Sequence, residues 1–197
     1  MYLSKKWAIL AISISVLVFF LINTEIKSQD IQITDGDTIK IDGEKIRFSG
    51  IDTPELKQFC FKENIKNSCG LKAKKILEDK IGKFKVTCIR EGEDQYNRIL
   101  AECFVNNESL SSFLVRSGYA FAFRRYSKKF VSDEEFAKSN KLGIWSMEFD
   151  YPWDWRKKKL ASLFLNSFLI FLQNKKQLIS ELNTPILRKY KFLKVYM

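Results

Sequence analysis

Hydrophobic and polar positions divide the 197-residue chain into segments of distinct period. From Trp7 to Ile22, 16 residues run without a charge, with Lys5 and Lys6 before them and Asn23-Thr24-Glu25 after them. This predicts a targeting or membrane-anchoring segment over residues 1–25, slightly short for a spanning helix. No Ala-x-Ala cleavage site follows, which favours an uncleaved anchor over a removed signal, and the lysines put the remainder of the chain outside the cytoplasm. Thr38 to Ile41 and Glu44 to Phe48 then alternate around Asp42-Gly43, the mark of a tight hairpin. Leu71, Ala73, Ile76, Leu77 and Ile81 recur at helical spacing, with Gly82 placed to end the helix. Lys83 to Arg90 and Asn97 to Val105 read as a second hairpin. A short helix is expected from Ser109 to Ser117, with Leu110, Phe113 and Leu114 inward and Gly118 as its stop. Ser132 with Glu135 forms a capping box for a further helix carrying Phe136 and Ala137 and ending near Gly143. The order of strands, helix, strands, helix, helix suits an α+β fold, mainly β: a small closed five-stranded barrel with about three helices packed on it.

After Trp155 the character changes. Lys157-Lys158-Lys159 opens a tail, residues 156–197, in which Leu160 to Leu172 is mostly apolar and Pro185 is expected to break the remainder. Thirteen residues are too few to span a bilayer, so a membrane-surface helix or a loosely ordered extension is expected. The domain proper is assigned to residues 26–155.

Composition narrows the chemistry. The chain has no histidine, which excludes imidazole-based hydrolysis and histidine-ligated zinc. The net charge of +11 suggests a nucleic-acid binder until it is located: residues 156–197 hold ten Lys or Arg against Glu181 alone, while residues 31–155 hold 21 basic and 20 acidic residues. Phosphate affinity in the domain must therefore come from a few placed arginines and a metal. The four cysteines fit an oxidising compartment, and Cys60–Cys69 and Cys88–Cys103 are the preferred pairs among three connectivities; free buried thiols are the alternative.

Between residues 35 and 55 lie Asp35-Gly36-Asp37-Thr38, Arg47 and Asp52-Thr53-Pro54-Glu55, with Arg98 in a later hairpin. Two carboxylates can hold a hard divalent cation, a third can orient or deprotonate water, and a guanidinium can neutralise phosphate. Taken singly these residues are an ordinary turn, an exposed strand charge, a loop acid and a strand-end charge.

Together with Asp94-Gln95-Tyr96-Asn97-Arg98-Ile99-Leu100-Ala101, Leu114-Val115-Arg116-Ser117-Gly118 and Leu142-Gly143-Ile144-Trp145, they make residues 31 to about 146 resemble the staphylococcal nuclease (thermonuclease) family. The resemblance implies an OB-fold barrel and calcium-dependent endonucleolytic cleavage of DNA and RNA. It makes Asp37 and Asp52 the side-chain Ca2+ ligands, with the Thr53 carbonyl as a further oxygen. Glu55 becomes the base or orienting group for water, Arg47 and Arg98 a phosphate clamp, and Tyr96 a neighbour of the terminal phosphate. Arg124, Arg125 and Tyr126 stand where the family has a tyrosine-rich base-contacting surface, so phosphate contacts and one stacking face are expected there. Asn97 replaces the glycine usual before the second arginine. The reading is a monomeric nuclease tethered at its N-terminus and facing outward, or secreted if the segment is cleaved. The alternative is a non-catalytic OB module, tethered to the membrane, that binds nucleic acid or protein; degenerate copies of that kind are expected to have lost a carboxylate or an arginine.

Overall fold

In a computed structural model the structure describes residues 29–193. The expected membrane segment, residues 1–25, lies outside the described residues. Among those that are described, no helix is long and apolar enough to cross a membrane.

The central sheet is mixed. Strands β1 (Ile31–Ile33), β2 (Thr38–Ile41) and β3 (Glu44–Phe48) run antiparallel in turn. The β2–β3 hairpin forms as its pattern predicts: Asp42 and Gly43 take φ of 51° and 90°, and Thr38 faces Arg47. Two short elements follow, β4 (Ile51–Asp52) and a hairpin of β5 (Cys60–Lys62) with β6 (Ile65–Asn67). Residues 60–69 are rich in Lys and Asn and show no strand pattern. They pair instead because Glu63 and Asn64 both adopt positive φ, 50° and 64°, which closes a two-residue turn. Helix α1 (Cys69–Ile81) ends at Gly82 as expected, at φ 52°.

The second expected hairpin consists of β7 (Thr87–Glu93) and β8 (Ile99–Val105), starting four residues later than its pattern suggests. Its β8 strand lies parallel to β3, with Arg47 opposite Leu100, giving the order β1-β2-β3-β8-β7; the short β9 (Glu108–Ser109) also pairs with β8. The barrel is not closed by a ladder among the described residues. Gln29 bridges the ends instead, its side-chain amide donating to Val86 O at 3.0 Å and accepting from Val86 N at 2.9 Å. Ile39, Phe48, Leu77, Ala101, Leu110 and Leu114 are buried together at the centre. Both cysteine pairs are disulfides, Cys60–Cys69 and Cys88–Cys103, the latter joining facing residues of β7 and β8.

Helix α2 (Leu110–Arg116) is capped by Ser109, whose Oγ accepts from Ser112 N at 3.2 Å. Strand β10 (Phe121–Ala122) pairs with β4 and sets Phe121 opposite Asp52. The expected capping box does not form. Helix α3 (Val131–Ser139) begins one residue before Ser132 because buried Phe130 occupies the cap position, and Ser132 falls inside the first turn. Phe136 is half exposed under the Arg116 guanidinium, 3.7 Å from its ring centre, while Ala137 is buried. A 3-10 turn (Gly143–Ser146) leads to helix α4 (Pro152–Leu193). That helix runs through the division expected at 155/156 and through Pro185: one proline removes one backbone donor and need not end a helix.

Candidate active site

Asp37, just before β2, and Asp52, the last residue of β4, are 2% and 1% exposed. Two glycines allow the close packing around them. A Cβ on Gly36 would come within 2.8 Å of Thr53 Oγ1, and one on Gly70 would meet Glu55 O at 1.9 Å, so α1 can pack its first turn against the Glu55 backbone only with glycine there. Arg47 enters from β3 between the two aspartates, donating Nη1 to Asp37 Oδ1 at 2.5 Å and Nη2 to Asp52 Oδ1 at 2.9 Å. Asp37 Oδ1 also accepts from Thr38 Oγ1 at 3.1 Å and Oδ2 from Thr53 N at 3.0 Å. Burial, reinforced by Asp35 and Asp52 and opposed by Arg47, pushes the Asp37 carboxyl up to about 7. Burial opposes the charge on Arg47, but Asp37 and Asp52 outweigh it and hold its pKa above the usual arginine value.

Glu55 is held by its backbone: Glu55 N donates to Gln58 Oε1 at 3.2 Å and Gln58 N to Glu55 O at 2.7 Å. Gln58 is buried and donates Nε2 to Asp150 O at 2.6 Å, tying this turn to the segment before α4. From that helix comes a residue that the sequence pattern assigns to the tail. Arg156 donates Nη2 to Asp52 Oδ2 at 2.6 Å, and Nη1 to Glu55 Oε1 at 2.7 Å and Asp52 Oδ1 at 3.3 Å.

Arg98 and Arg124 make their ion pairs outside this cluster. Arg98 pairs with Asp94 inside its own turn, Nε to Oδ2 at 2.7 Å and Nη2 to Oδ2 at 2.6 Å. Burial raises the Asp94 pKa, but hydrogen bonds from Arg98 and from the Tyr96 backbone outweigh it, leaving the carboxyl below its usual value. Asn97 sits at φ 57°, the left-handed angle expected when it replaces glycine. Tyr96 is exposed, its ring 5.4 Å from the Arg98 guanidinium. Arg124 pairs with buried Glu134, which also accepts from Ala122 N at 3.0 Å. Arg125 is exposed, and Tyr126, 75% exposed, lies 5.0 Å from the Phe123 ring.

Two buried aspartates and an adjacent glutamate meet two arginines, Arg47 and Arg156, in one cluster whose carboxylate oxygens are of the kind that holds a hard cation. Among the described residues no three carboxylates or thiolates converge as a self-sufficient metal cage. The donor set nevertheless fits calcium, which takes carboxylate, carbonyl and water oxygens together.

Known proteins of similar sequence include two described as endonucleases. An "Uncharacterized endonuclease" of Haemophilus influenzae is 28% identical over 141 residues, 68% of this chain and 74% of that protein. "Endonuclease YncB" of Bacillus subtilis is 34% identical over 129 residues, 57% of this chain and 58% of that protein. The "Succinoglycan biosynthesis protein ExoI" of Rhizobium meliloti is 32% identical over 117 residues, 57% of this chain and 61% of that protein. Residues 45–147 match the family model described as Staphylococcal nuclease homologue, more than half of the sequence, and the chain belongs to that family.

Proposed function

We propose that the chain is a calcium-dependent endonuclease that cleaves DNA, RNA or both by in-line attack of water on phosphodiester bonds. Its class, a phosphodiester-hydrolysing nuclease, follows from its family. The observation that carries the finer reading is the convergence of Asp37, Arg47, Asp52 and Glu55 on one cleft.

Asp37, Asp52 and the Thr53 carbonyl are the residues to hold the metal. When bound, calcium supplies Lewis-acid polarisation of a phosphoryl oxygen and a fixed position for water. Glu55 stands at the cleft's outer edge, where its carboxylate can orient that water or take its proton. Arg47, drawn in by two carboxylates, presents a planar fork whose contacts with phosphate oxygens strengthen as charge builds on them. Arg98 serves as the second clamp after exchanging Asp94 for substrate, with Tyr96 beside it. Pro54 fixes its own φ and restricts Thr53, keeping Asp52 and Glu55 in one rigid turn. Arg125 and Tyr126 offer phosphate and stacking contacts to the flanking strand, with Arg124 held behind them by Glu134.

The proposal includes a site of action outside the cytoplasm, with residues 1–25 as anchor and the enzyme a monomer. The two disulfides support an oxidising compartment. The test is release of acid-soluble nucleotides from single-stranded DNA and from RNA by the full-length chain, with calcium or chelator. Calcium-dependent release is expected; a folded, calcium-binding chain that releases nothing would turn the assignment to a binding module.

A further inference from the structure

We propose that Arg156 is a built-in counter-cation of the catalytic carboxylates, competing with the divalent cation for Asp52 while it occupies Glu55. The inference rests on the metal-binding role given to Asp52 above. All four carboxylate oxygens of Asp37 and Asp52 accept hydrogen bonds from the protein. An incoming cation therefore meets guanidinium charge already seated on these oxygens, and Arg156 covers both oxygens of Asp52. Thr53 N is fixed backbone, and Arg47 is 19% exposed within the sheet. Arg156, 42% exposed, approaches from the solvent side and is the donor with room to leave.

Its placement is built into the fold. Phe121, opposite Asp52 in the β4–β10 pair, lies 5.1 Å from the Tyr151 ring and 6.2 Å from Trp153. Tyr151 and Trp153 stack at 4.7 Å, and Trp153 stacks on Phe123 at 5.8 Å. Gln58 links Asp150 to the Glu55 turn, and Lys158 pairs with Asp150 at 2.5 Å. The first turn of α4 is thus clamped beside the cleft, and the Arg156 fork meets a carboxylate that is 1% exposed rather than a solvated one. Contacts of that kind are stronger than surface ion pairs. While Arg156 bridges Asp52 and Glu55, Glu55 is engaged as an acceptor and its lone pairs are less available to water. The metal-free enzyme is held in an ordered resting state that cation binding releases.

Calcium affinity measured by titration calorimetry without nucleic acid tests this on the full-length chain, alongside Arg156→Gln, Arg156→Lys and Lys157→Gln. Competition predicts roughly tenfold tighter calcium binding by Arg156→Gln. It also predicts an intermediate value for Arg156→Lys and no change for Lys157→Gln, whose ammonium pairs with Asp154. In chelator Arg156→Gln should melt below wild type, and the difference should shrink with calcium bound. Equal or weaker binding by Arg156→Gln overturns the proposal, as does equal tightening by Lys157→Gln, which would reduce the effect to net charge. Absence of calcium binding in every chain would overturn the metal reading together with it.

Discussion

Arg47→Lys tests whether Arg47 is both the phosphate clamp and the counter-ion that lets two aspartates share a buried cleft. The wild-type guanidinium spans Asp37 and Asp52 with two charge-assisted bonds of 2.5 and 2.9 Å, and its side chain is 19% exposed. An ammonium is a point charge on a flexible stem and cannot serve both carboxylates in fork geometry. One bond is lost and one buried carboxylate is left short of a donor, a cost of about 2 kcal/mol for a hydrogen bond to a charged group. For a domain of this size that lowers the melting temperature by about 4 to 8 °C. Unfolding followed by fluorescence of the four tryptophans in chelator measures the structural part. Turnover of single-stranded DNA with calcium measures the rest, and loss of a preorganised donor to phosphate should lower it about a hundredfold. A variant with wild-type melting temperature and wild-type turnover would refute both roles. A normal melting temperature with lost turnover would leave the clamp and remove the counter-ion.

Two further outcomes rest on the same contacts. The Asp37 carboxyl titrates near 7 when folded against 3.8 when unfolded, so between those values the native state binds the extra proton. The metal-free chain should therefore gain stability as pH falls from 7 towards 4, and Asp37→Asn should abolish that gain in chelator melts; an unchanged profile would contradict it. Reduction of Cys60–Cys69 and Cys88–Cys103, which join residues 9 and 15 apart in sequence, should cost about 2 to 4 kcal/mol per bridge, and an unchanged denaturant midpoint would argue against any stabilising role.

Much of the scaffold was legible because local chemistry and fold agree. Asp42-Gly43 can take the positive φ its turn needs, and Gly82 and Gly118 mark real helix ends. Gly118 has a second function that no pattern reveals: a Cβ there would meet Leu142 O at 2.3 Å. Where tertiary packing decides, local signals misled. Buried Phe130 overrides the capping box of α3, and Cys60–Cys69 ties the start of α1 to a hairpin whose turn, Glu63-Asn64, carries no glycine to announce it. In the cleft, motif spacing picked out Asp37, Arg47, Asp52 and Glu55, which do meet. It could not show that Arg98 pairs with Asp94, or that Arg124 pairs with Glu134. Arg156 was missed because it reads as the first charge of a basic tail. One signal was available: Phe149, Tyr151, Trp153 and Trp155 crowd the preceding seven residues, a density of rings with no place in a solvated linker.

The measurement that bears most directly on the central claim compares the full-length chain with Glu55→Gln, in calcium and in chelator, for release of acid-soluble nucleotides from single-stranded DNA and RNA. Release by wild type that requires calcium, and its collapse in a Glu55→Gln chain that still binds calcium, is the predicted result. Release that persists in chelator would contradict the metal-assisted mechanism, and undiminished release by Glu55→Gln would remove Glu55 from the chemistry.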